Sequence, residues 1–346
     1  MRLREQRLQE LASVHQTAWP AEPASLRIAP ASVQASPVFS VIVPTHNRAA
    51  IVGRALASIA AQTFRDYEII VVDDGSTDGT KEALASYGSR ITAIHQDNSG
   101  PEVARNRAAT VAQGEYLVML DSDDLLFPNS LEIVDRAIQQ FDGPPLLLGT
   151  VTTFEDHEGL PAVPDAEIAE VFRFKDYFSK RVQLGTNLII IKSSTFREIG
   201  GLRNTTPKTF HADDIYLLMK AGTASPCIVI EKPAIRAYRQ HVDNSVKNAE
   251  AISNGLIRLA RAEDRGEFPG GSARRMDRYV CLGGRAGSWA YLHCWKQGHR
   301  RVSWRLFLET APMILTAMLV KLFASFRETP TPAAIRAEDR VSAYQS

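Results

Sequence analysis

Continuous apolar runs of strand length dominate the chain from Phe39 onward. FSVIVP (39–44), EIIVV (68–72) and EYLVML (115–120) are rich in Val, Ile and Leu and do not alternate with polar residues. Such runs predict strands buried on both faces, as in a parallel sheet. Between the first two, Ile51, Val52, Ala55, Leu56 and Ile59 recur at helical spacing. Two more helices are predicted around Thr80–Tyr87 and Pro101–Gln113, separated by a strand at Ile91–His95. Alternating strand and helix predicts a doubly wound α/β sheet. Further on, 187–191 reads as a strand, Asp213–Lys220 as a helix, and Ile228–Ile230 with Ala234–Tyr238 as late strands.

From about Ala249 the pattern turns helical and basic. Residues 258–305 hold eleven Arg or Lys against four acids. The stretch 306–326 is apolar but interrupted by Glu309, Pro312 and Lys321, which argues against a clean membrane span. Two readings stay open. The segment is either one arm of a helical hairpin turning at Gly298 and packed on the rest of the protein, or a helix in an anionic membrane surface. Flanking Arg300, Arg301, Arg305 and Arg327, with Trp289, Trp295 and Trp304, suit the second. The predicted organisation is a partly helical N-terminal segment (1–37), an α/β domain (38–248), a helical basic region (249–330) and a flexible tail (331–346).

Composition narrows the class. With 346 residues, 45% hydrophobic and 23% charged, the chain has room for one large domain and an appendage. Forty basic residues against thirty-nine acidic ones give a net charge of +1, which says nothing about nucleic acid; no nucleic-acid partner is expected. The three cysteines, Cys227, Cys281 and Cys294, form no CxxC pair and read as reduced thiols. The charged N-terminal start lacks the apolar core of a secretory signal. A cytoplasmic protein is therefore expected, with peripheral contact at the inner face of the membrane as the variant.

The candidate chemistry sits where buried strands end. EIIVV runs into Asp73-Asp74-Gly75-Ser76, and EYLVML runs into Asp121-Ser122-Asp123-Asp124. In open α/β sheets ligands bind beyond the carboxyl ends of the strands, so five carboxylates are expected to face one crevice. Their repulsion calls for a hard cation, Mn²⁺ or Mg²⁺, which in turn points to a phosphorylated substrate. Turn chemistry or helix capping is the plainer alternative for either cluster alone. The chain has neither a GxxxxGK[ST] loop nor a GxGxxG turn, which argues against a P-loop nucleotidase and a dinucleotide fold.

PTHNR (44–48), EIIVVDDGSTDGT (68–80), NSGPEVARNRA (98–108) and GEYLVMLDSDDLLFP (114–128) together closely resemble the N-terminal half of family 2 glycosyltransferases with the GT-A fold. The resemblance implies a nucleotide pocket lined by Thr45 and Asn47, with Pro44 shaping the turn. It implies that Asp74 accepts a hydrogen bond from a pyrimidine N3–H, which favours uracil or thymine over cytosine. Arg105 and Asn106 would lie beside the nucleotide, Arg105 as a diphosphate contact. Asp121 and Ser122 would lie near the ribose, and Asp123 would touch the metal. HADDIYLLMKAG (211–222) looks like the family's acid pair at a helix start, with Asp214 as catalytic base and Asp213 in the place usually held by Glu. AYRQHVDNS (237–245) looks like the stretch that places a histidine, here His241, at the metal.

The resemblance thus implies inverting transfer of a sugar from a nucleotide diphosphate, UDP above all, to a hydroxyl of a saccharide, lipid-linked or protein acceptor. The acceptor loop is expected around Val182–Asn187. Two alternatives from other classes remain open: an inactive module that binds a nucleotide sugar, and a metal-dependent nucleotidyltransferase. A phosphoacceptor receiver would leave the DSDD cluster unexplained.

Overall fold

The computed structural model describes residues 36–155, 161–164, 168–174, 188–202, 213–221, 226–241, 248–323 and 333–336. The expected N-terminal helix and the Val182–Asn187 loop lie outside them.

The elements follow the sequence pattern closely at first. Strand β1 (Phe39–Thr45) leads through α1 (Val52–Ala60) to β2 (Tyr67–Asp74), then α2 (Thr80–Ala85) and β3 (Thr92–Gln96). Helix α3 (Pro101–Val111) starts at Pro101, whose missing N–H costs nothing at that position. It returns the chain to β4 (Tyr116–Met119), followed by the two-residue β5 (Leu125–Leu126) and α4 (Ser130–Gln140). Then come β6 (Leu146–Gly149), β7 (Val151–Phe154), β8 (Ile168–Phe174), β9 (Leu188–Lys192), α5 (Ser193–Glu198), α6 (Asp213–Ala221), β10 (Cys227–Lys232) and β11 (Arg236–Arg239). Helices α7 (Ala249–Asp264), α8 (Arg275–Trp289) and α9 (Arg300–Phe323) and a last strand β12 (Ala333–Arg336) complete the chain.

Nine strands form the main sheet in the order β12-β8-β10-β6-β9-β4-β1-β2-β3. Strand β9 runs antiparallel to both β4 and β6, and β8 runs against β10 and β12. The period of two along each strand splits the core into two layers. Val41, Val43, Ile69, Val71 and Val118 pack under α1 and α4, while Ile42, Ile70, Val72, Leu117 and Met119 face α3, α5 and α6. Strands buried on both sides are why the sequence runs are continuous rather than alternating.

Tertiary pairing adds three features that the local pattern left open. The late strand predicted at Ala234–Tyr238 leaves the main sheet: β11 joins β5 and β7 in a separate three-stranded sheet. Within the tail predicted to be flexible, Ala333–Arg336 pair along the outer edge of β8 and cover backbone groups that an edge strand leaves open. The helical region expected from about 249 packs onto the rest of the protein. Leu256, Leu259 and Ala260 of α7, with Leu282 of α8 and Ile314 of α9, share a core with Ile215, Tyr216 and Met219 of α6.

The C-terminal segment forms a hairpin: α8, extended by a π-helical turn to Trp295, reverses at Gly298 (φ 87°) into α9. Gly283 makes the close crossing possible, since a Cβ there would stand 1.9 Å from the Met313 carbonyl oxygen. Among the described residues no helix is long and apolar enough to cross a membrane.

Candidate active site

The chain leaves β1 toward β2 and β3 on one side and later places β4 on the other, so the order of strands reverses beside β1. Crevices at such a reversal are where open α/β sheets bind ligands. Register puts the end of β1 beside that of β2, Thr45 opposite Asp73, while β4 ends opposite Ile42 and its following turn runs on alongside Pro44.

The loop after β1 is knitted to the loop after β2. Asn47, in the left-handed region at φ 52°, donates its backbone N–H to Ser76 Oγ (2.8 Å) and accepts the Thr77 N–H on Oδ1 (2.8 Å). Asparagine tolerates this conformation better than most residues. Pro44 and Thr45 are buried at the end of β1, and among the described residues Thr45 Oγ1 has no hydrogen-bond partner. A buried hydroxyl left unpaired at a strand end is ready for a ligand atom.

Two of the five carboxylates expected at the crevice are already engaged by donors of the protein. Asp73 accepts the Ser76 N–H on Oδ1 and lies 3.0 Å from His95 Nδ1 through Oδ2. Asp74 accepts from Gln96 Nε2 and the Ser99 N–H on Oδ1, and from the Gly100 N–H on Oδ2, at 2.7–2.8 Å. These two acids hold the loops in shape, because a buried carboxylate is stable only with donors around it. Asp74 Oδ2 keeps acceptor capacity for one further donor.

The other three converge. Asp121, Asp123 and Asp124 bring carboxylate oxygens within 4.8 Å of one another. Each meets a cation. Arg105, from α3, donates through Nη2 to Asp121 Oδ1. Crowding by protein atoms opposes ionisation of Asp121, but Arg105 and Arg236 outweigh it and hold the carboxyl below its ordinary range. Asp123 Oδ2 lies 2.9 Å from His241 Nε2 and 3.7 Å from Arg48 Nη2. Asp124 is fully buried, accepts the Arg239 N–H at 3.0 Å and pairs with Arg236 at 3.4 Å. Burial pushes its carboxyl up to about 8 against the pull of Arg236, and Asp121 and Asp123 add to the rise.

The small sheet explains how His241 reaches an acid 118 positions away. Leu125 and Leu126 pair with Ala237 and Arg236, so the turn at 121–124 is stitched to β11, and His241 follows two residues after that strand ends. Ser122 is buried within the turn. Asn106 points elsewhere: its amide donates to the Leu202 carbonyl and accepts the Leu202 N–H, both at 2.9 Å, bracing the loop after α5.

Asp213 is the first residue of α6 and Asp214 the second, with the Ile215 N–H bonded to Asp214 Oδ1 at 2.7 Å. Strand β10 runs parallel to β6, which through β9 is aligned with β4. The helix that feeds β10 therefore runs the opposite way and starts at the edge where β1 and β4 end. Arg48, Arg236 and Arg239 were not singled out from the sequence. An arginine inside an otherwise apolar strand run, as in AIRAY, was the available signal for Arg236, since a buried guanidinium requires an acid.

Residues 40–197 match the family model "Glycosyl transferase family 2". Over these residues the chain is similar to family 2 glycosyltransferases. It is 34% identical over 128 residues to the glycosyltransferase GlyG of Streptococcus pneumoniae, covering 36% of this chain and 42% of that one. It is 42% identical over 97 residues to the uncharacterized glycosyltransferase RC0461 of Rickettsia conorii, covering 28% and 16%. The chain thus spans less than half the length of these relatives.

Two solved structures share its architecture. Residues 1–349 of S. aureus TarS, in complex with UDP-GlcNAc, superpose with a TM-score of 0.54 at 19% identity, over 84% of this chain and 93% of that one. The mannosyltransferase PcManGT of Pyrobaculum calidifontis, in complex with GDP-Man and Mn²⁺, gives 0.50 at 20% identity over 87% and 84%. Likeness at this level establishes the fold, and the expected GT-A class with a helical C-terminal region is the one observed.

Proposed function

We propose that this protein is a glycosyltransferase that moves a sugar from a nucleotide diphosphate, of the UDP type, to an acceptor hydroxyl with inversion at the anomeric carbon. The contact between Asp123 and His241 inside a three-carboxylate cluster, at the crevice beside β1, carries the reading. Oxygen donors with one imidazole suit a hard divalent ion such as Mn²⁺ or Mg²⁺, which Asp123 and His241 would hold, aided by Asp121. Bound there, such an ion supplies Lewis acidity toward a departing diphosphate.

The remaining roles belong to side chains. Thr45 and Asn47 line the nucleotide pocket that Pro44 shapes, and Asp74 accepts the pyrimidine N3–H on Oδ2. Asp121 and Ser122 lie toward the ribose. Arg105 and Arg48 neutralise charge that builds on the diphosphate as the glycosidic bond breaks. Asp214 takes the proton from the attacking hydroxyl, help worth about 10²–10⁴-fold. Asp213 stands beside it. Asn106 acts on the pocket by holding the loop at Leu202. One base and direct attack give inversion. The acceptor is a saccharide, a lipid-linked glycan or a protein.

The test separates binding from chemistry. Calorimetry with Mn²⁺ should show donor binding retained in Asp214→Asn and abolished in Asp123→Ala, while turnover of Asp214→Asn falls about 10²-fold or more. Turnover within twofold of wild type in Asp214→Asn refutes the assigned base. Product whose new linkage keeps the donor's configuration refutes inversion.

A further inference from the structure

Helix α9 is apolar on two sides, and only one of them is covered. Leu306, Thr310, Met313, Ile314 and Ala317 face the core shared with α7 and α8 and are buried. On the opposite side Trp304, Leu308, Leu315 and Leu319 recur at helical spacing, and each is more than half exposed, Leu308 at 68%. Phe307 and Met318 flank them, and a furrow of about 640 Å³ between this stripe and α8 is floored by Gly284 and Gly287. Soluble monomers seldom leave so continuous an apolar surface open without a use for it.

Charge identifies the occupant. From Arg278 to Leu308 the sequence contains no carboxylate. Lys296, Arg300, Arg301 and Arg305 stand exposed at the turn of the hairpin, and the helical repeat sets Arg300 and Arg301 on either side of Trp304. The next acid along the chain, Glu309, is held by Arg261 through both carboxylate oxygens, at 2.8 and 2.9 Å. Against a second copy of this chain, the cationic turn would meet either its own like or bare leucine. An anionic lipid surface satisfies both parts, with phosphates for the arginines and acyl chains for the leucines. Tryptophans at 295 and 304, packed edge to face at 6.3 Å, fall at the boundary where indole rings favour headgroup depth.

We propose that the outer face of α9, together with the turn at 296–301, docks onto an anionic lipid bilayer, with the helix lying in the plane of the surface. The hairpin shares its core with α6, so the docked face is rigidly joined to the sheet whose strand ends form the crevice.

Co-sedimentation of the full chain tests this with vesicles of phosphatidylglycerol and phosphatidylcholine, against vesicles of phosphatidylcholine alone. Binding should require the anionic lipid. It should fall about 30-fold in Arg300→Gln/Arg301→Gln, from the attraction each cation contributes at such a surface. Leu308→Glu/Leu315→Glu should abolish binding, and because both side chains are exposed its thermal melt should match wild type. Three results would overturn the proposal. One is equal binding to neutral and anionic vesicles. Another is no binding to either. The third is a dimer, seen by light scattering, that Leu315→Glu dissociates in a chain that ignores vesicles.

Discussion

Replacing Arg278 by methionine removes the cation that ties α7 to α8 beneath the helical layer. Arg278 and the Glu263 side chain are 2% and 1% exposed, and the guanidinium donates to both Glu263 oxygens through Nε and Nη2. Nη1 also donates to the Pro269 carbonyl at 2.7 Å and Nη2 to the Gly271 carbonyl at 2.8 Å. Arg278→Met leaves a carboxylate and two carbonyls without these donors. Arg275, 4.0 Å from Glu263 and half exposed, is too far away to replace them. Breaking one side of a buried pair costs about 3–5 kcal/mol, a large part of the roughly 5–15 kcal/mol that holds a domain together. At a urea slope of about 2 kcal/mol/M the unfolding midpoint should drop by about 1.5–2.5 M. The companion Arg278→Met/Glu263→Leu should recover much of that loss, because an apolar pair avoids desolvating two charges. Equilibrium urea unfolding followed by tryptophan fluorescence measures both. A single variant within 1 kcal/mol of wild type, or a double variant less stable than the single, refutes the reasoning.

Gly283→Ala should lower the melting temperature, since its Cβ would drive into the Met313 carbonyl and overpacking costs about 1–3 kcal/mol. Gly284→Ala meets open space and should be neutral or stabilising, so equal melting of the two would contradict the close crossing. Burial pushes the Cys281 thiol up to about 11 from 9.0, with Arg285 opposing the rise. At pH 7.5 its thiolate fraction, and its rate of alkylation by iodoacetamide, should be about 10²-fold below an unperturbed cysteine. Mass spectrometry of the labelled chain reads this, and a rate equal to free cysteine counts against the raised thiol.

Much of the fold is legible in short windows of the sequence. The apolar runs at 39–44, 68–72 and 115–120 and the helical spacing at 51–59 each reflect the environment of a single element, and each appears where its pattern puts it. The acids that end β2 and follow β4 are legible for the same reason, since strand ends and their turns are local. Their division of labour was not. Asp73 and Asp74 look like members of the same acidic group as Asp121 and Asp123, yet their donors come from Ser76, His95, Gln96, Ser99 and Gly100. Asn106 is bound to a loop 96 positions away.

By itself, then, the sequence determined the alternation of strand and helix, the two-sided burial of the sheet and the presence of carboxylates at its edge. These depend on side-chain period and turn chemistry, which act over a few residues. Tertiary structure alone decided that β11 would leave the main sheet and carry Arg236 and His241 to Asp124 and Asp123. It decided as well which face of α9 the core would take and which it would leave open. Both outcomes depend on pairing between distant segments. A strand's hydrogen-bonding edge and a doubly apolar helix are each compatible with several partners, and only assembly of the whole chain selects among them.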